Sequence, residues 1–577
     1  MPRLVENAEV SRLFQEMADL LEIQGANPFR VRAYRTAART IDEQAGPVAA
    51  LARARDDGLE DLPGIGEDLA GKIREIVRTG TLRDLVALRR RVPRGLVEFT
   101  RLRGVGPKRA VALAEALGIS TLAGLKRALD RGQVRTVPGF GARTEARLRQ
   151  ELATRQATPA RVPRPVAAQY GESLRGYLAE LAGVQRVEIA GSFRRCKDTV
   201  GDLDLLVTAR RGTAVTRRFT RFPEVAEVLA EGETSASVRL ASGLQVDLRV
   251  LPAASFGAGL YYFTGSRAHN IAVRRLAQRR GLKINEYGVF RGSRRIAGRT
   301  EAEVAATVGL PLIPPELRED RGEIAAARAG RLPRLVTASE LRGDLQCHTT
   351  GSDGRDDLAT MLRAAERLGR EYVAITDHSP ALRVTGGLDR AGLTRQRAAI
   401  DRLNARGGPT RLLAGIEVEI LADGSLDLDD RTLAGLDLVV GAIHTRLELP
   451  AREQTRRLVR AIRHPRMQVI AHPTGRLIGE RPPMHLDLEA VFRAAADCGV
   501  LLEVNAQPSR LDLDDQAVMA ALAAGVGLVI SSDAHSAQEL RLLPWGVDQA
   551  RRGWATAADI ATTLPLDRFL ARIAREG

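Results

Sequence analysis

The hydrophobic pattern of this chain changes period twice, which restricts it to a string of differently built domains. Up to about residue 150, apolar residues recur at three- and four-residue spacing, as in VSRLFQEMADLLEI and VALAEALGI, the mark of amphipathic helices. From VEIAGS onward the spacing shortens to the alternation of half-buried strands, in VEIAGS, DLDLLVT, ASVRL and LQVDLRV, with helices between. After GDLQCH, short apolar strands (YVAIT, LVVGAIH, QVIAH, VLLEVN, VGLVIS) alternate with helices, the rhythm of a parallel sheet or barrel. At 577 residues one hydrophobic core is excluded. The proline-rich ATPARVPRPV (157–166) marks one boundary, and a Gly/Ala/Arg-rich stretch near 322–337 marks another.

Charge divides along the second boundary. Of the net +16, residues 1–340 carry about +18 and residues 341–577 about −2, so the first part reads as the footprint of a polyanion. Cys196, Cys347 and Cys498 are too irregularly spaced for a disulfide framework or a thiolate zinc site, which fits a reducing cytoplasm. The N-terminal segment has acids where a signal peptide would have an uninterrupted apolar core. The longest apolar run, Ala517 to Ile530, is too short to span a bilayer and reads as a buried helix–strand segment, so no membrane partner is expected.

One frame repeats three times in the helical region: LPGIGEDLAGKI, LRGVGPKRAVAL and VPGFGARTEARL. Each copy places Gly-x-Gly (Gly64 and Gly66, Gly104 and Gly106, Gly139 and Gly141) just ahead of a helix. The frame resembles the helix-hairpin-helix motif, in which a glycine hairpin brings N–H groups at a helix start against a DNA phosphate without reading sequence.

In GDLDLLV, Asp202 and Asp204 are two residues apart on a strand, so both face one side while Leu203, Leu205 and Val207 face the core. In LQVDLRV, Asp247 lies opposite the buried Val246, Leu248 and Val250. Were these strands neighbours, three carboxylates would converge, an arrangement that divalent cations relieve and that suits in-line phosphoryl transfer by two Mg²⁺ or Mn²⁺ ions. Upstream, the Gly191-Ser192 turn opens a helix flanked by Arg194 and Arg195, a natural phosphate cradle.

The second centre announces itself by composition. Seven of eight histidines follow residue 340, in the part without a basic excess. His348, His378, His444, His472 and His535, with Asp353, Glu417 and Asp533, all follow or end strands, where barrel active sites lie. Mixed imidazole and carboxylate ligands suit two or three Zn²⁺, Mn²⁺ or Fe²⁺ ions able to activate water against a phosphoester.

GSFRRCKDTVGDLDLLV, then QVDLRV and YYFTGSRAHNIAVRR…INEYGVF, resemble the family X DNA polymerases across the first 320 or so residues. The resemblance implies an N-terminal 8-kDa-like helical domain (1–80), a second helix-hairpin-helix region (81–155), a nucleotidyltransferase palm (165–255) and a nucleotide-selection subdomain (256–321). It makes Asp202, Asp204 and Asp247 the catalytic metal ligands. Gly191, Ser192, Arg195 and the Gly201 backbone would hold the incoming triphosphate, and Tyr262, Phe263 and Gly265 would line the sugar and base pocket. Asn270 would meet the base edge and Arg274 the template strand. NPFRVRAYRTAART resembles the part that grips a 5′-phosphate, which gives Arg30 and Tyr34 that role. Lys72 falls at the place of the family's Schiff-base lysine, while Asp68 stands where members commonly carry a lysine.

Beyond a linker at 322–340, residues 341–577 resemble the polymerase-and-histidinol-phosphatase (PHP) domain, a (β/α)₇ barrel with a trinuclear metal centre and 3′→5′ exonuclease activity in bacterial family X enzymes. The family's opening Asp-x-His-x-His reads Asp344-Leu345-Gln346-Cys347-His348 here, and Cys347 is expected to point away as a structural residue. The expectation is therefore a multidomain α+β and α/β monomer of the bacterial cytoplasm. It would bind gapped or primed DNA and dNTPs, fill gaps in repair, and trim 3′-ends or process abasic sites. A nuclease that keeps its palm only for grip is disfavoured by the intact aspartates and pocket aromatics. A non-catalytic scaffold is disfavoured by two metal constellations.

Overall fold

The computed structural model describes residues 7–42, 48–52, 58–92, 96, 99, 102, 105–157, 161–382 and 385–574. They fall into two compact units, Met1–Val162 with Val166–Ala182 and Arg211–Leu248, and Pro163–Pro165 with Gly183–Arg210 and Arg249–Gly577. The palm expected at 165–255 thus contributes to both. Among the described residues no helix is long and apolar enough to cross a membrane.

The first unit is helical through residue 157, around a core that includes Phe14, Met17, Tyr34, Ile73 and Phe99. All three glycine frames close in the same way. The N–H of Ile65, Val105 and Phe140 donates to the carbonyl three residues earlier, on Leu62, Leu102 and Val137, at 2.9–3.0 Å. These six apolar side chains are buried, so each hairpin is pinned from below, and Gly64, Gly66, Gly106, Gly139 and Gly141 are exposed. Gly64 and Gly139 take φ of +69° and +85°, the left-handed region in which a Cβ is costly. Gly66 and Gly106 are the N-caps of Glu67–Thr79 and Pro107–Leu117, and Gly141 precedes Ala142–Ala157. Gly104 lies outside the described residues. The unit also holds most of helix Arg164–Ala179, helix Gly212–Phe219, Val225–Glu231 paired antiparallel with Ser235–Leu240, and the strand Gln245–Val250 up to Leu248.

In the second unit Val184–Ile189 pairs antiparallel with Asp202–Ala209. Helices Phe256–Thr264 and Arg267–Gln278, the antiparallel strands Lys283–Asn285, Gly288–Arg291 and Arg294–Ala297, and helix Glu301–Thr307 follow. The 322–340 stretch, expected as a linker, is packed. Glu323 is fully buried against His269 (2.7 Å), which also meets the Tyr261 hydroxyl (3.0 Å). Leu335 joins the core of the preceding subdomain and Val336 that of the next. A charged residue inside a Gly/Ala/Arg-rich run does not advertise such a partner, which lies 54 residues away.

Seven parallel strands then run in sequential order: Gly343–Cys347, Tyr372–Ile375, Arg411–Glu419, Leu438–Ala442, Val469–Ile470, Leu501–Asn505 and Leu528–Ser531. The first meets the last through His348 N–H to Ala534 O (2.8 Å) and Ala534 N–H to Gln346 O (3.2 Å), which nearly closes a barrel. The apolar run from Ala517 forms the end of helix Asp515–Ala523 and most of the last strand, as a buried segment should. Cys347 packs outside the barrel with Met361, Val373 and Ile375.

Candidate active sites

The strand Asp202–Ala209 alternates as its sequence requires, with Leu203, Leu205 and Val207 fully buried, Asp202 exposed and Asp204 half-buried. The turn upstream is built onto this strand. Ala190 N–H donates to Asp204 O (2.8 Å), and the one-turn helix Gly191–Arg194 begins there. A Cβ on Gly191 would lie 2.3 Å from Asp204 Oδ2, and its φ is +65°, so cradle and carboxylate are in direct contact only because this residue is glycine. Ser192 and Gly201 are half-buried on either side of this contact. The two arginines diverge. Arg194 forks onto Glu301 (2.6 and 2.8 Å) and Thr264 Oγ1 (2.8 Å), while Arg195 donates to Glu319 (3.0 Å) and to Thr264 O (2.7 Å).

Downstream, Tyr262 and Phe263 meet edge to face (5.1 Å) on helix Phe256–Thr264, and Arg249 lies over Phe263. Gly265 ends that helix. Asn270 Nδ2 donates to Tyr262 O (2.6 Å), and Arg274 Nε to Asn270 O (3.3 Å), so these pocket candidates form one bonded group. On the first unit, Asp247 lies opposite buried Val246 and Leu248 and accepts from Ser237 Oγ and Gln245 Nε2. In the helical region Arg30 is exposed, but Tyr34 is buried edge-on against Phe14. Lys72 lies over the Tyr34 ring and is paired with Asp68, one helical turn before it. Burial opposes a charged Lys72, but the bonds to Asp68 and the influence of Tyr34 outweigh it and raise its pKa.

The barrel centre gathers all eight of its candidates. Glu417, fully buried on the third strand, lies 3.1 Å from His378 Nδ1, 3.0 Å from His472 Nε2, and 3.5 Å from His348 Nε2 and His444 Nε2. Asp353 approaches His378 (3.5 Å), His535 (3.6 Å) and His348 (3.8 Å), while Asp533 lies 3.3 Å from His348. The rings of His348, His378 and His535 stack. Two sets offer ligand atoms within 4.8 Å of one another: His348, Asp353, His378 and His535, and His378, Glu417 and His444. His378 belongs to both, as a residue between two ions would.

The donor set fits metals. Both ring nitrogens of His348, Glu417 Oε2, His472 Nδ1, Glu503 Oε1 and both amide atoms of Gln346 are buried without a hydrogen-bond partner. Buried polar atoms are otherwise nearly always bonded, so a group of orphans around one point marks a place for cations. Burial disfavours a charged His535, yet the Asp353 and Asp533 carboxylates beside it prevail and push it up to about 10. Burial and the nearby Arg510 push His472 down to about 4. Burial raises Glu503, and the charge of Asp533 adds to it.

Five supporting residues escaped the sequence reading. Glu419 accepts from His444 Nδ1 (2.8 Å), fixing which nitrogen faces the centre. Asp377 accepts from Thr349, Ser352 and Gln396 and so braces the His348 loop. Glu503 and Asn505 bring in the sixth strand, with Asn505 Nδ2 donating to Asp533 (3.0 Å). Arg510 Nε lies 3.7 Å from Asp533 Oδ2. Glu419 and Glu503 were findable, since a charge inside an apolar strand on the ligand face has few other purposes. Arg510 sits in a loop with no periodicity to betray it.

Models of known families match four successive segments: a helix-hairpin-helix domain (5–82), a SAM-like helix-hairpin-helix tandem (96–154), the DNA polymerase beta palm (161–247) and the DNA polymerase beta thumb (259–319). The DNA polymerase/3′-5′ exonuclease PolX of Bacillus subtilis is 35 % identical over 571 residues, 98 % of this chain and 99 % of that protein. DNA polymerase lambda of Arabidopsis thaliana is 28 % identical over 299 residues, 45 % of this chain and 54 % of its own length. A probable phosphatase of Caldanaerobacter subterraneus is 28 % identical over 173 residues, 29 % of this chain and 63 % of its own. With polymerase palm and thumb ahead of a seven-stranded PHP-type barrel, and a polymerase/exonuclease relative aligned end to end, this chain belongs to the bacterial family X DNA polymerases with 3′→5′ exonuclease function.

Proposed function

We propose that the two activities are divided between the two centres, synthesis at Asp202, Asp204 and Asp247 and cleavage at the eight histidine and carboxylate residues of the barrel. The observation that carries the assignment is the contact between Gly191 and Asp204, which sets a helix-start anion cradle directly against a candidate ligand carboxylate. In this reading Gly191, Ser192, Arg195 and the Gly201 backbone orient the incoming triphosphate. Tyr262, Phe263, Gly265 and Asn270 shape the pocket for sugar and base, and Arg274 meets the template. The glycine hairpins at Gly64/Gly66, Gly104/Gly106 and Gly139/Gly141, with Arg30, hold DNA phosphates without regard to sequence. Tyr34 serves from beneath, as the packing partner of Lys72.

Two Mg²⁺ or Mn²⁺ ions in the palm, and two or three Mn²⁺ or Zn²⁺ ions in the barrel, would supply charge neutralisation and nucleophile activation. In the barrel His348, Asp353, His378, Glu417, His444, His472, Asp533 and His535 would hold them, and Arg510, beside Asp533, would face the scissile phosphate. The substrate is gapped or primed DNA in repair, and the protein acts as a monomer in the bacterial cytoplasm. Lyase activity at Lys72 is disfavoured, because pairing with Asp68 holds the amine protonated when a nucleophile must be neutral.

Primer extension and primer degradation on gapped DNA test the division. Asp202→Ala is expected to lose nucleotide addition by on the order of 10³-fold, the scale of removing a principal electrostatic stabiliser, and to keep degradation. His378→Ala should do the reverse. Extension by Asp202→Ala at the parental rate would refute the palm assignment, and undiminished degradation by His378→Ala the barrel assignment.

A further inference from the structure

The turn that follows Gly191 is gripped by the barrel at three points, although the two belong to different activities. Arg552, at the end of helix Leu543–Arg552, donates through Nη1 to the backbone carbonyl of Arg195 (2.6 Å) and to Glu319 Oε1 (3.1 Å). Glu319 is the same carboxylate that receives Arg195 Nε. Arg164 lies between Phe193 of the turn and Trp545 of the barrel, and pairs with Asp548 (2.7 Å). Arg476 donates to Asp198, at the end of the turn (3.2 Å).

Arg552 is the best buried of these, with its side chain 2 % exposed. A guanidinium is retained at such a place only when its donors are fully used. Its Nη2 goes to Asp515, which is shared with Arg321 (2.9 Å). Arg552 therefore fixes both the backbone of Arg195 and the carboxylate that aims the Arg195 side chain. It reaches no reacting group itself.

We infer that Arg552, a barrel residue, is a positioning residue for the incoming nucleotide, holding Arg195 and its turn in register with the triphosphate. The inference rests on the reading of Arg195 as a triphosphate ligand. It makes the exonuclease barrel a structural part of the polymerase site, apart from its own chemistry.

The test measures the dissociation constant of a matching dNTP for the full-length protein on gapped DNA with a dideoxy-terminated primer, together with steady-state extension. Arg195→Gln comes first. If it leaves dNTP affinity unchanged, the triphosphate reading fails and the inference falls with it. If Arg195→Gln weakens binding, Arg552→Met should raise both the dissociation constant and the KM for dNTP about tenfold, with kcat within about twofold, as small misplacements of a binding group do. Arg552→Lys should recover only part of the loss, because an ammonium keeps the charge but lacks the planar fork that bridges Glu319, Asp515 and the Arg195 carbonyl. Degradation of single-stranded DNA should stay at the parental rate. Should Arg552→Met fail to fold, Asp515→Asn loosens the same guanidinium and should shift dNTP affinity about threefold in the same direction. Unchanged dNTP affinity in whichever of these variants folds, beside a weakened Arg195→Gln, overturns the inference. So does an equal loss of extension and degradation, which would mark Arg552 as merely structural.

Discussion

The two centres solve opposite problems with similar ligands. In the palm, Asp202 is exposed and Asp204 half-exposed on the open face of a strand, and Asp247 accepts from the neighbouring Ser237 and Gln245. In the barrel, His348, His378, Glu417, His472 and Asp533 are buried, and each acid faces at least one imidazole. A site that must admit a duplex and a triphosphate cannot wall in its carboxylates. Asp202 and Asp204 share one strand face, where solvent screens their repulsion. A site that attacks one phosphoester can be closed and pre-built, at the cost of charges that must be balanced internally. The barrel should thus be the more brittle of the two toward ligand loss, and the palm the more sensitive to backbone shape.

The largest expected effect tests the brittleness. Glu417 faces four histidines, so Glu417→Gln should lower 3′→5′ degradation by on the order of 10³-fold and reduce metal content in the purified protein, while extension persists. Elemental analysis beside both assays checks it, and full metal content in this variant would break the contrast. The palm counterpart is Gly191→Ala. A methyl group 2.3 Å from Asp204 Oδ2 must displace either the cradle or the carboxylate, and extension should fall about 100-fold with degradation untouched. A normal extension rate would mean that the palm is as forgiving in shape as it is in solvent.

Most of this contrast was legible before any coordinates. The alternation in DLDLLV and QVDLRV placed the palm aspartates on strand faces, and the histidines after strand ends located the barrel centre, because period and chain position are local properties. What sequence did not carry was non-local. Val225–Glu231 went unread as a strand, since its nearly all-exposed residues leave no alternation to detect. Glu323 in the supposed linker is held by His269, and Arg552 by Arg195, Glu319 and Asp515, pairings set by tertiary approach alone. Arg194 and Arg195 are adjacent and alike in sequence, yet one is committed to Glu301 and the other to Glu319.

A subtler consequence of the closed barrel concerns protons. In the metal-free centre His535 is pushed up to about 10 by Asp353 and Asp533, so it carries its proton across the neutral range. A ligating imidazole must be neutral. Loading Mn²⁺ at pH 8 should therefore release roughly one proton through this residue, and apparent affinity should climb as pH rises toward about 10. Titration calorimetry in buffers of different ionisation enthalpy measures the release. His535→Asn should abolish that part of it, and buffer-independent heats in the parent would contradict the charge balance described above.

The smallest effect bears on how complete the closed site is. Gln346 stands where the family's opening motif has histidine, buried to 1 % exposure, with neither amide atom bonded to protein. An amide so placed offers a neutral oxygen, a weaker ligand than imidazole for a transition metal, and its NH₂ group points no charge at the carboxylates. It is therefore a strand-end position where the barrel relies on something other than a strong preset ligand. Gln346→His should raise the affinity of the weakest bound ion and increase degradation severalfold, about the reverse of losing an outer ligand partner. Metal retention during dialysis against a graded chelator reads the affinity directly. If retention and rate both stay at the parental level, the eight remaining ligands already saturate the centre, and Gln346 is a substitution the barrel absorbs without loss.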